Sequence, residues 1–296
     1  MFKLNNRHQS AGRTMKVKNS ILAGTLVFFL ACLSCKSLKH VNEFSTASAE
    51  IINTYTTIPY SYYRNCRDRC DLERQTGIIT GKIQFNPADT IKCDCKADLA
   101  KDNDATRAYT VLILYFSSLQ QLSDHNKFIY STGNLVSALG KIKAIEDVQL
   151  QEPVTRIADL ILNIATRGYR SRSLQLILDS SRVPVDRLLD NLILNNRILV
   201  GKYKGYYGGY LNVMMQKYAG PHVAPRQQLD DYLNNSREME KSKLVITEIE
   251  NFNALLTKVK SGHLKLAGER LNLKDKELIT YLYTQAKELK ANISKL

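Results

Sequence analysis

Cys66, Cys70, Cys93 and Cys95 are the residues whose type and spacing most directly imply chemistry. Cys66 and Cys70 lie one helical turn apart, and Cys93 and Cys95 form a C-x-C. Thiols that close in sequence are poorly placed to bond each other, so pairing is expected between the two clusters: Cys66 with Cys95 and Cys70 with Cys93, or the opposite arrangement. A four-thiolate zinc site would draw on the same residues. C-x3-C with C-x-C departs from the usual paired C-x2-C spacing, however, and thiols outside the cytoplasm tend to oxidise, so no metal is expected. A redox-active dithiol would need C-x-x-C on a thioredoxin-like βαβ unit, which the sequence lacks.

Tyrosines form the second constellation. In the stretch from Gly201 to Tyr210, Gly201, Gly205 and Gly209 fall on one helical line, with Tyr203, Tyr206, Tyr207 and Tyr210 around the other faces. Glycines four apart allow two helices to approach closely, so the favoured expectation is a tight crossing with the tyrosines half in the core. The functional reading of the same residues is a binding surface that stacks on sugar rings or lipid head groups, with Lys202 and Lys204 supplying charge. Tyr60, Tyr62 and Tyr63, beside Arg64, Arg67 and Arg69, admit the same two readings.

Signals of catalysis are weak. His40, His125, His222 and His263 are scattered, and there is no H-E-x-x-H, no glycine loop for phosphates and no G-x-S-x-G. The histidines are expected to be surface or capping residues, and the acid pairs Asp230 with Asp231 and Glu238 with Glu240 to be solvated faces. No catalytic residue and no cofactor are assigned.

The elements that must position these groups are helical. Val41, Phe44, Ser48, Ile51, Tyr55, Ile58 and Tyr62 recur at steps of three and four and predict a long first helix, kinked or broken near Tyr55 by Pro59. Residues 77–95 lose this period and predict a small β-hairpin, with strands Ile78 to Phe85 and Thr90 to Cys93 about the turn Asn86-Pro87-Ala88-Asp89. Helical spacing returns near Lys96 and again from Leu135, with Pro153, Pro184 and Pro225 as expected helix starts. A further helix running to Tyr218, a long one from Leu229 to Leu266 and a closing one from Leu278 complete the chain. Long helices joined by short loops predict a mainly α fold, an elongated antiparallel helical bundle carrying the hairpin as an insertion. Few prolines (6) and glycines (14) leave little room for a linker, so residues 35–296 are expected to form a single domain.

Residues 1–34 read differently. Lys3, Arg7, Arg13, Lys16 and Lys18, with no acid among them, precede the apolar run Ile21 to Leu33. This is the layout of a cleaved signal peptide, and the run is too short to span a hydrocarbon core of roughly 30 Å. Met15 also heads a complete signal of this kind. The run closes on Leu30-Ala31-Cys32-Leu33-Ser34-Cys35, where a small residue before each cysteine resembles the processing site of bacterial lipoproteins. The resemblance implies lipidation (palmitate among the acyl chains) at Cys35, with Cys32 as the alternative, and Lys36 after the cysteine implies the outer membrane. It covers the first 36 residues or so and implies nothing about the mature fold.

The formal charge is +14, of which the five basic residues of the signal account for +5, leaving +9 on the mature part. Outside the cytoplasm such a surface suits anionic lipid, polyanionic glycan or an acidic protein, and nucleic acid is not an expected partner. The function expected from sequence is therefore a lipid-anchored protein of the cell envelope, tethered to the membrane, which binds a protein or an anionic envelope component or serves as a structural module. The alternatives are an enzyme acting on envelope glycan or lipid and a lipoprotein that neutralises an incoming toxin.

Overall fold

Proline 59 has no backbone N–H to continue a helix, and the first helix stops short of it. The computed structural model of the chain describes residues 41–58, 61–84, 93–123, 145–167, 174–218 and 225–268, with isolated positions from 277 onward. Helix α1 covers residues 41–53 and tightens into a 3-10 turn, Thr54–Thr57, before Ile58 becomes extended. Helix α2, Tyr62–Ile79, restarts at Ser61, whose hydroxyl accepts the Arg64 N–H at 3.2 Å from an extended N-cap backbone. The expected first helix is thus broken into two. Helices α3 (Lys96–Ser123), α4 (Val148–Arg167), α5 (Leu174–Tyr218) and α6 (Pro225–Gly268) follow. The result is a helical bundle, and none of its described helices is long and apolar enough to cross a membrane.

The hairpin expected at about 77–95 is a correction. Ile78 and Ile79 belong to α2, and the chain then turns rather than extending. Gly81 has φ +70°, its N–H donates to the Ile78 carbonyl at 3.1 Å, and the Lys82 N–H donates to the Gly77 carbonyl at 2.8 Å. These are the two bonds of a Schellman C-cap, which only a residue at ease with positive φ can close. Ile83 then folds back on Gly77, where any Cβ would overlap its side chain. No strand occurs among the described residues, and the predicted turn and most of the second strand lie outside them.

Two proline starts also need correction. Pro153 and Pro184 lie inside α4 and α5, while Pro225 does open α6. The start of α4 is set by carboxylates instead. Asp147 Oδ1 accepts the Gln149 N–H at 2.8 Å, and the buried Asp104 accepts the Glu146 and Asp147 N–H groups at 3.1 and 2.9 Å. The helix expected from Leu135 and most of the closing helix lie outside the described residues, as do Cys32, Cys35 and the signal segment.

Five helices share one core. Phe44 and Ile51 of α1, Leu112 and Phe116 of α3, Ile157 and Ile161 of α4, Leu188 and Leu192 of α5, and Phe252 and Leu256 of α6 are buried in a single apolar cluster. α1 packs tightly on α6 at Gly262, where an added Cβ would overlap the Phe44 ring. Gly262→Ala is therefore expected to destabilise the protein by about 1–3 kcal/mol, although alanine is the better helix former. Urea denaturation checks this against Ser261→Ala on the exposed neighbouring position; equal midpoints would contradict the close approach.

α2 stands apart from this core. Its sequence, YYRNCRDRCDLERQTGII, offers no continuous apolar stripe, and its packing is against α3 and α5. Tyr62 joins a smaller cluster with Leu199, Val200 and Tyr203 of α5 and Val245 and Ile249 of α6. Covalent and polar ties do the rest. Cys66 is bonded to Cys95 and Cys70 to Cys93, with Cα separations of 5.8 and 6.1 Å, so α2 is stapled to the segment that leads into α3.

Candidate functional site

A cleft of about 220 Å³ opens where the 3-10 turn and the start of α2 lie against α3, α5 and α6. Its deep side is apolar, built from Leu192, Leu199, Ile249 and Phe252, and Tyr55, Tyr62 and Tyr109 supply aromatic walls. Thr56, Ser61, Asp102, Thr106 and Asn195 bring polar atoms to it.

Each wall is fixed by the element that carries it. Tyr109, buried in α3, stacks on Tyr55 with ring centroids 4.4 Å apart and an interplanar angle of 23°. Its hydroxyl pairs with the Asn196 side chain, whose Nδ2 also donates to Asn253 Oδ1 at 2.9 Å, linking α3, α5 and α6 beneath the cleft. Tyr62 donates its hydroxyl to the Asn195 carbonyl at 2.6 Å and so spans from α2 to α5. Burial and the neighbouring Asp102, Asp98 and Asp147 push the Tyr62 phenol well above its ordinary pKa, so it remains a donor at neutral pH. Asp102 is committed to structure. Its two oxygens accept the N–H groups of Tyr62 and Tyr63 at 2.9 and 2.8 Å, capping α2 and meeting the positive end of its dipole.

Charges near the cleft lie against partners or aromatic faces. Lys202 Nζ lies 3.2 Å from Asp98 Oδ1 and 5.1 Å from the Tyr62 ring centroid, with Lys101 Nζ at 5.7 Å from the same ring. The cleft thus presents aromatic faces and neutral hydrogen-bonding groups rather than an uncompensated charge or a nucleophile.

The tyrosine-rich stretch of α5 lies about one to three turns further on. Tyr203 is buried and donates to Ser242 Oγ at 3.2 Å, while Tyr206, Tyr207 and Tyr210 are half-buried with centroids 6.3–6.4 Å apart. Of the three aligned glycines, Gly209 alone meets a neighbour: a Cβ there would sit 3.1 Å from Leu72 Cδ2 of α2. Gly201 and Gly205 face open space, so the close crossing is confined to one turn. Burial raises the Tyr206 pKa to about 12, helped by Asp68 and Asp71 across on α2. Asp68 itself is raised, chiefly by burial, with Arg64 opposing and Asp71 adding.

A second polar cluster was not legible as such. Tyr115 of α3, Ser181 of α5 and His263 of α6 meet inside the core, where the Tyr115 hydroxyl bonds Ser181 and lies 2.8 Å from His263 Nε2. His263, expected at the surface, is 1% exposed. Burial lowers its pKa to about 3, so the ring is neutral. A tyrosine, a serine and a histidine in contact suggest nucleophile chemistry, but all three are sealed from solvent and no substrate could reach them. They form a core hydrogen-bond network.

Fold and site together define a helical bundle whose disulfide-stapled second helix closes one side of an aromatic cleft. No family model matches the chain, and neither does any curated protein or solved structure.

Proposed function

We propose that the chain is a lipid-anchored, extracytoplasmic binding module of the cell envelope, acylated at Cys35 or else at Cys32, and that the aromatic cleft is its binding site. The observation that carries the reading is the pair of disulfides, Cys66–Cys95 and Cys70–Cys93, which fix one wall of the cleft. Structural disulfides persist in oxidising compartments, and this agrees with the signal-like first residues. The chemistry of the cleft supports binding rather than turnover, since its one carboxylate caps a helix and burial holds the Tyr62 and Tyr109 phenols protonated. Two or three acyl chains, at about 0.8 kcal/mol per buried methylene, would hold the module stably at the membrane. Its basic mature surface suits anionic neighbours there.

Intact mass and peptide mapping of the membrane-extracted protein, before and after reduction, test this reading. The expected result is a mature chain beginning at an acylated cysteine that gains two hydrogens for each disulfide on reduction. An unprocessed terminus at Met1 or Met15 with free thiols would overturn it.

A further inference from the structure

The size of the cleft restricts what it can hold. Ligand pockets commonly measure about 300–1,000 Å³. At about 220 Å³ this one encloses about a single ring, and any longer ligand would extend out of its open side.

Its electrostatics restrict the occupant further. A cation would find the one lining carboxylate, Asp102, already accepting two N–H groups of α2, and Lys202 and Lys101 lie close by, 5.1 and 5.7 Å from the Tyr62 ring. An anion would meet the carboxylate of Asp102, the one acid of the lining. What remains is a neutral molecule.

The polar groups at the rim are of mixed character. Ser61 Oγ accepts from the Arg64 N–H and retains its own hydroxyl hydrogen to donate. Thr106 Oγ1 donates to the Asp102 carbonyl and Thr56 Oγ1 to the Asn53 carbonyl, so each retains acceptor capacity. The half-buried Asn195 adds an amide that both donates and accepts. Such a set matches hydroxyl groups, which each donate and accept. The aromatic walls match a flat C–H face: Tyr55 lies with one face on Tyr109, and its half-buried ring lines the cleft.

We infer that the cleft binds one neutral pyranose ring, stacked on Tyr55 and hydrogen-bonded through Ser61, Thr56, Thr106 and Asn195. This rests on the reading of the cleft as the binding site of a binding module. In an envelope protein the sugar would be a terminal or branch residue of a glycan.

The test uses the full chain with its disulfides intact, isotope-labelled for NMR, and four probes added separately: glucose, N-acetylglucosamine, phenol and choline. One or both sugars are expected to shift the amide signals of residues 55–58, 61–62, 102–106 and 195–196, with an affinity in the millimolar range or better. Tyr55→Ala is expected to weaken that affinity about tenfold, the loss of one aromatic stack with its buried area. Asn195→Ala gives an independent reading should the tyrosine variant fold poorly. If neither sugar shifts these signals while phenol or choline does, the sugar inference fails and the binding module stands. If none of the four does, both the inference and the assignment of this cleft as the binding site fail. Sugar binding with unchanged affinity in both variants would overturn the inference as well, because it would place the sugar elsewhere.

Discussion

Reducing both disulfides is expected to remove about 3–4 kcal/mol of stability for the first and less for the second. The bonds close loops of sequence separation 29 and 23, and the shorter loop is nested within the longer. Once one bond has restricted the unfolded chain, the other has less entropy left to remove. The double variant Cys66→Ser with Cys95→Ser, which keeps Cys70–Cys93, is expected to lose only the smaller share in non-reducing buffer and the remainder on reduction, measured as shifts of the thermal midpoint.

The loss should also be local before it is global. α2 contributes Tyr62 to the minor apolar cluster and little to the main one. It holds its place through the two disulfides, the Asp102 cap, the Tyr62 hydroxyl and the contact of Leu72 at Gly209. Hydrogen exchange after mild reduction should therefore speed up first across 62–79, while α4 and α6 retain protection. The cleft would lose a wall at the same time, because Ser61 and Tyr62 line it. Uniform loss of protection, or no change on reduction, would contradict a helix held chiefly by its staples.

How much of this could be read from sequence follows from where the information resides. Apolar periodicity made the helices visible, since Phe44, Ile51, Leu112, Phe116 and Phe252 sit on stripes that become the core. The break after α1 was visible because proline acts locally. The hairpin was misread because Ile78, Ile79 and Ile83 favour strands in isolation, while the deciding residue, Gly81, reveals itself through a left-handed cap. Pro153 misled for the converse reason: Asp104, distant in sequence, settles where α4 begins. The cysteine clusters announced cross-linking but left two pairings open, and only the placement of α2 beside 93–95 selects between them. The cleft was not visible, because Tyr55, Tyr62, Tyr109 and Asn195 lie on four separate elements. His263 could have been placed. It falls in step with Phe252, Leu256, Val259 and Leu266 on the apolar side of α6, and a histidine in that register is a core residue.

Acid should expose that residue. In the folded protein burial holds the His263 pKa near 3, against about 6.5 in the unfolded chain. The group is thus neutral in the native state, and as pH falls below 6.5 the unfolded chain takes up a proton that the folded one refuses. Its contribution is fully favourable above pH 6.5 and declines by about 1.4 kcal/mol per pH unit toward pH 3. Between pH 6.5 and 4.5, before most carboxylates titrate, this one site should remove about 2 kcal/mol. His263→Gln isolates the effect, because glutamine can still bond the Tyr115 hydroxyl but does not titrate. The variant is expected to be less stable at pH 7 by about 1–3 kcal/mol, through a poorer fit in the network, yet to show a flatter decline on acidification. Chemical denaturation at a series of pH values gives both slopes. Equal slopes in the two proteins would mean that His263 takes up its proton in the folded state, and that the contact of Tyr115, Ser181 and His263 is open to water. A steeper slope in the parent chain would establish that protonation of His263 opposes the folded state, through a buried network that connects α3, α5 and α6.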